Sequence, residues 1–235
     1  MRAIFKREFK SYFQRTSGFL FLGLSLFFMS VLVVIYSVFY GIPSMAYALS
    51  DMTLLTALIV PAFFASVISG ERKRGTDKLL SMLPITRREI VLGKYFAALM
   101  LFALSVLSFA TLPVFLSAFG SIDLAASYAS LFCYAAFGVA LISISLFISS
   151  LFDNTWVSLG VNYGAVILLY LANSLSESLL PMGKVKDILL AFSFFGRFDS
   201  FMFGLVDPLT IVYYILVAEI FLSLSLFSAE KRRLF

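Results

Sequence analysis

Residues 18–40 carry no charge, uncharged runs recur at 52–69, 95–118, 124–151 and 156–175, and 209–228 is a further apolar run interrupted by Glu219 alone. A bilayer core of about 30 Å is crossed by a helix of about 20 apolar residues, and its lack of water forbids an open, unpaired backbone. Barrel strands would instead read as ~10-residue segments of alternating polarity. Composition agrees, since hydrophobic residues make up 61% of the chain and charged residues 13%, against roughly 25% charged in ordinary soluble domains. Too little polar surface exists to cover a globule in water. The expected fold class is therefore all-α integral membrane with six spans. Pro61 and Pro113 are candidate kinks in the second and third spans, and 41–51 reads as a short loop.

Ahead of the first span lies MRAIFKREFKSYFQRT, in which Phe5, Phe9, Tyr12 and Phe13 share one helical face. Arg2, Lys6, Arg7, Lys10 and Arg15 occupy the remainder. A basic helix with an aromatic face lies in the lipid interface, so residues 1–16 form an amphipathic unit and 17–235 the spanning domain. A signal peptide cleaved near Ala46-Tyr47-Ala48 is the alternative, but the run at 18–40 exceeds the ~7–15 residues of a signal core. Charge sets orientation. Placing 1–16, 70–94 and the tail on one side gives it fifteen of the eighteen Lys and Arg; Lys184, Lys186 and Arg197 remain for the other. The first side is expected to be cytoplasmic, both termini included.

The long polar segment 70–94, GERKRGTDKLLSMLPITRREIVLGK, reads as two short helices. Thr86 and Glu89 have capping-box spacing, Ile85 and Ile90 that of a hydrophobic staple, and Pro84 closes the helix before them. Leu79, Leu80 and Leu83 make an apolar ridge on a basic surface. It fits lipid headgroups or a groove on a partner protein equally well.

Chemistry is constrained by what is missing. No histidine and a single cysteine, Cys133, exclude most metal and haem sites and any disulfide framework. No H-E-x-x-H or G-x-S-x-G occurs. Gly93-Lys94-Tyr95 and Gly183-Lys184-Val185 both lack the Ser or Thr and the upstream glycine of a phosphate-binding loop. The chain is thus expected not to be an enzyme and to hold no cofactor. Within the spans, Gly160 and Gly164 form a G-x-x-x-G that suits close helix approach, within the subunit or in a dimer. Asn162 and Asn173 on the same helix need partners. Glu219 is the ionisable residue deep in a span; such residues are costly and tend to face a cavity or the bundle interior. Trp156 and Asp153 suit an interfacial anchor.

The order Glu71, Gly75-Thr76, Leu79-Leu80, Pro84-Ile85-Thr86-Arg87, Ile90-Val91, Gly93-Lys94, set between the second and third of six spans, resembles the permease subunits of type-2 ABC exporters. Within that family it is most similar to small gliding-motility and multidrug-efflux permeases. The resemblance implies that 1–16 is an elbow helix, that 70–94 is the coupling segment, and that 176–208 forms short external helices. It implies an ATPase-docking set of Glu71, Arg74, Gly75, Thr76, Leu79, Leu80 and Leu83. It also implies two ATPase subunits that bind ATP and Mg, and a second copy or homologous permease as partner. The first and fifth spans would line the dimer interface and path, bringing in Gly160, Gly164 and Asn162. Residues 72–74 are all basic, where many relatives include an acid, and only about ten residues join the first two spans. The cargo expected is amphipathic or lipid-like. A secondary transporter, or a membrane anchor that only recruits an ATPase, are the alternatives.

Overall fold

A computed structural model describes residues 2–41, 45–73, 75, 86–118, 123–178, 193–199 and 207–231, without the side chains of 175–178 and 199. In chain order its helices are α1 (Arg2–Gln14), α2 (Ser17–Val34), α3 (Met45–Phe64), α4 (Ser69–Lys73), α5 (Arg87–Phe109), α6 (Leu112–Ser117), α7 (Leu124–Leu151), α8 (Thr155–Ser178), α9 (Gly196–Asp199) and α10 (Pro208–Lys231). No strand occurs among the described residues. Six helical stretches are long and apolar enough to cross a membrane, built on α2, α3–α4, α5–α6, α7, α8 and α10.

Three boundaries differ from the sequence reading. The second span starts at Met45, so most of the expected loop at 41–51 is helix. Met, Ala and Leu there are strong helix formers, and Asp51 is accommodated on the helix by accepting the Tyr36 hydroxyl at 2.7 Å. Pro61, the candidate kink, lies inside α3. The regular helix stops at Phe64, and a turn at 65–68 leads into α4. Pro113 does interrupt the third span, where α5 stops at Phe109 and α6 restarts with proline in its first turn. At the end of α2 the residues Ile35–Phe39 widen into a π-helical turn.

The fourth span, α7, is the hub. It is the most buried of the six and packs against α3, α5, α8 and α10. Lipid tails are as apolar as leucine, so close packing and hydrogen bonds hold such a bundle, not expulsion of water. Both are visible on α7. Gly138 lets the Phe102 ring of α5 lie directly on the α7 backbone. Tyr134 shares a 2.6 Å hydrogen bond with Thr56 of α3, and Ser143 a 3.0 Å bond with Tyr95 of α5. At one end Phe194, Phe195 and Phe198 pack about Phe137 and Tyr214, and the Tyr214 hydroxyl donates to the Phe194 carbonyl at 2.8 Å. Ser193 and Asn173 pair there at 2.5 Å, giving that asparagine its partner. Residues 179–192 and 200–206 of the expected external segment lie outside the described residues, as does the proposed staple residue Ile85.

Candidate functional site at the polar end of the bundle

α1, α4, the start of α5 and the ends of α7 and α10 meet at the opposite end of the bundle. The sequence builds this junction stepwise. Thr86 is extended (φ −74°, ψ 146°) and its hydroxyl accepts the Glu89 N–H at 3.4 Å. The Glu89 carboxylate accepts the Thr86 N–H at 3.3 Å, completing the expected capping box. This start sets the register of α5, turning Ile90, Val91, Gly93, Lys94, Ala97, Ala98 and Leu101 inward. Gly93 is the contact point for α1: a β-carbon there would lie 2.8 Å from Ile4 Cγ2. With Ile4 seated on Gly93, Glu8 one turn later faces Lys94, one residue along α5.

α4 enters the same junction from the other side. Ser149 of α7 accepts the N–H groups of both Ile68 and Ser69 at 3.1 Å, serving donors that a helix start leaves without intrahelical partners. Two consecutive side chains then diverge. Glu71 accepts Lys94 Nζ at 2.8 Å and Arg7 Nη2 at 3.3 Å. Arg72 donates to the Ser150 carbonyl at 2.6 Å and faces Asp153 at 3.4 Å. Lys94 is only 2% exposed and also donates to the Val67 carbonyl at 3.0 Å, with Glu8 at 3.9 Å. Arg7 closes the group on Glu8 at 2.7 Å. Two cations thus meet two carboxylates, so a charge that would be prohibitive to bury alone is neutralised where it sits. Burial, aided by the Glu8 and Glu71 carboxylates, pushes the neighbouring Tyr12 phenol well above its ordinary range, so it stays a neutral hydroxyl. At the rim Arg88 pairs bidentately with Glu230. That pair is exposed, so solvent screens it and it contributes little.

Of the expected docking set, Glu71 and Gly75 are described. Gly75 has φ +70° and its N–H bonds the Arg72 carbonyl at 3.0 Å, turning the chain sharply out of α4. Arg74, Thr76, Leu79, Leu80 and Leu83 lie outside the described residues. Sequence reasoning did not single out Lys94, Arg7, Glu8 or Arg72 as a contact group. The available signal was Lys94 falling on the inward face of a capped helix whose register Thr86 fixes.

The other candidates sit apart. Asn162 is buried against the bundle and donates to the Ser158 carbonyl at 3.0 Å, one turn back; Ser158 in turn donates to the Ala65 carbonyl at 2.8 Å. Gly160 and Gly164 occupy the opposite face of α8, and a β-carbon at either would meet nothing within 4 Å. Among the described residues the G-x-x-x-G therefore does not serve packing within the subunit. Glu219 corrects an expectation: it lies on the exposed face of α10 beside Leu216 and Ile220, not toward the interior. The inward stripe of that helix is Thr210, Tyr214, Ala218, Ser225 and Ala229, and a 100° step per residue carries position 219 off it. Trp156 is exposed at the start of α8, next to the 153–154 bend that precedes that helix.

No curated protein matches the chain. A family model described as ABC-2 family transporter protein matches residues 51–205, from the second span through the fifth and beyond. Members of that family are typically non-catalytic membrane subunits and generally pair with ABC ATPase subunits. With six candidate spans, no strand among its described residues and this match over more than half its length, the chain belongs to the ABC-2 transporter family as a multi-pass membrane permease.

Proposed function

We propose that the chain is the membrane half of an ATP-driven exporter, with the polar end of the bundle in the cytoplasm and docked on an ABC ATPase. The observation that carries this reading is α4. A helix of five residues, immediately preceding the basic and leucine-ridged stretch, is fastened through Ser149, Glu71 and Arg72 to α7, α5 and α1 together. A displacement of α4 is therefore passed to three helices at once. ATP and Mg would be held by the partner ATPase, two copies per complex, and the chain itself supplies no catalytic group. The distribution of Lys and Arg supports the orientation, fifteen of eighteen on the proposed cytoplasmic side. The cargo proposed is amphipathic or lipid-like.

The test is a pull-down of tagged protein in mild detergent, wild type beside Leu79→Asp/Leu83→Asp. An ATPase with a phosphate-binding loop is expected with the wild type and lost from the double variant. If the wild type brings down no ATPase, the exporter reading fails. Vanadate-sensitive ATP turnover by the purified complex, stimulated by amphipathic compounds, separates an exporter from a passive anchor.

The open face of α8 is assigned to a second permease copy. Leucine at 160 and 164 would hold two helices apart there, so Gly160→Leu/Gly164→Leu is expected to weaken self-association at least roughly ten-fold, about 1.4 kcal/mol. Energy transfer between differently labelled copies in vesicles reads this directly. An unchanged signal in the variant removes α8 from the interface, and a monomeric wild type favours a homologous partner instead.

A further inference from the structure

The buried charge group between α1, α4 and α5 has a geometry that packing alone does not require. Ile4 on Gly93 already holds α1 against α5 through apolar contact, with Gly93 leaving room for the Ile4 side chain. Lys94 adds nothing to that contact. Besides its 3.9 Å approach to Glu8 of α1, its ammonium reaches to the end of the second span, taking the Val67 carbonyl at 3.0 Å and Glu71 Oε2 at 2.8 Å. Arg7 reaches from α1 to the other oxygen of the same carboxylate, Oε1, at 3.3 Å. Both oxygens of Glu71 are thereby taken by cations from two different helices, and Lys94 is almost wholly shielded from water and salt. Screening by salt is strong at exposed charges and weak at buried ones, so this link keeps its stiffness where the rim pair Arg88–Glu230 does not.

We propose that Lys94 is the positioning residue that makes α1, α4 and the first turns of α5 move as one body when the segment after α4 is displaced. The proposal rests on the permease reading above and deepens it, since it names the side chain through which the displacement enters the third span and the elbow. Arg72 and Ser149 hold the opposite flank of α4 to the end of α7, so at this end of the bundle α4 contacts both groups of helices.

Hydrogen–deuterium exchange on the captured permease–ATPase complex, with and without ATP plus vanadate, tests this. In the wild type, nucleotide trapping is expected to change protection in 69–73, in α1 and in the first turns of α5 together. In Lys94→Gln the change at 69–73 is expected to persist while those in α1 and α5 are lost. Where Lys94→Gln fails to fold, Lys94→Gln/Glu71→Gln, which leaves neither partner of the pair charged, takes its place. Unaltered responses in α1 and α5 of the variant, or no response in them in the wild type, overturn the proposal. So does loss of the ATPase from a variant that folds normally, which would place these side chains in docking. If the wild type itself captures no ATPase, the permease reading fails and the proposal with it.

Discussion

Gly138→Ala is expected to destabilise the protein, although alanine is the better helix former by about 0.8–1.0 kcal/mol in a helix interior. A β-carbon at 138 would lie 2.0 Å from Phe102 Cζ and 2.2 Å from Cε1, far inside van der Waals contact. The ring has nowhere to go: Phe102 is 2% exposed and is tilted against Tyr134, with ring centroids 5.7 Å apart. Tyr134 is fixed in turn by Thr56 at 2.6 Å. Overpacking of this kind costs about 1–3 kcal/mol and occasionally more, and here it falls on the contact between α5 and the central α7. Thermal loss of monodisperse protein in detergent should fall at a clearly lower temperature for Gly138→Ala, and Gly138→Leu should fail to fold. Phe102→Leu in the Gly138→Ala background is expected to restore much of the loss, because it removes the atoms that clash. Gly160→Ala, on an open helix face, should be near neutral or stabilising in the monomer. If Gly138→Ala were as stable as wild type, the close ring-on-backbone packing would be wrong.

The importance of Gly138 was not legible in the sequence, and the reason is physical. A glycine in an apolar run reads the same whether a ring lies on it or nothing does. Gly138, Gly160 and Gly164 all stand in spans, yet the first is filled to the limit and the other two face open space. The G-x-x-x-G spacing correctly marked a smooth helix face, but spacing carries no information about which neighbour uses it. What could be read was whatever depends on local rules. Six long apolar runs gave six candidate spans, and the Thr86–Glu89 spacing gave a real capping box. Boundaries failed where a local rule was overridden by a partner: Asp51 looked like a loop residue because its tyrosine, Tyr36, belongs to the preceding span.

The charges show the same division. Counting Lys and Arg predicts which segments share a side of the membrane, since the count needs no knowledge of contacts. Glu219, judged by its depth alone, was expected inward and lies outward, because depth says nothing of helix rotation. Lys94 is the converse case. By its place near the start of α5 it reads as an ordinary interfacial cation reaching for water. The structure instead buries it, because Gly93 draws α1 down over it and the 65–68 turn swings Glu71 into reach.

That burial makes Lys94→Met the second large effect. Removing the ammonium takes from Glu71 its buried cation, at 2.8 Å, and leaves the Val67 carbonyl without this donor. Breaking a buried ion pair from one side costs about 3–5 kcal/mol, chiefly because the remaining charge stays desolvated, whereas replacing both partners by neutral groups is often close to neutral. Lys94→Met should therefore melt well below wild type in detergent, and Lys94→Met/Glu71→Gln should recover most of the difference. Glu8 needs no third substitution, since Arg7 holds it at 2.7 Å. The comparison with Arg88→Met fixes the interpretation: that substitution breaks a pair of equal formal charge at an exposed position and should cost far less. Equal losses for Lys94→Met and Arg88→Met would mean that the Lys94 site is hydrated. A double variant no better than the single would mean that the aliphatic stem of Lys94, and not its charge, is what the junction requires.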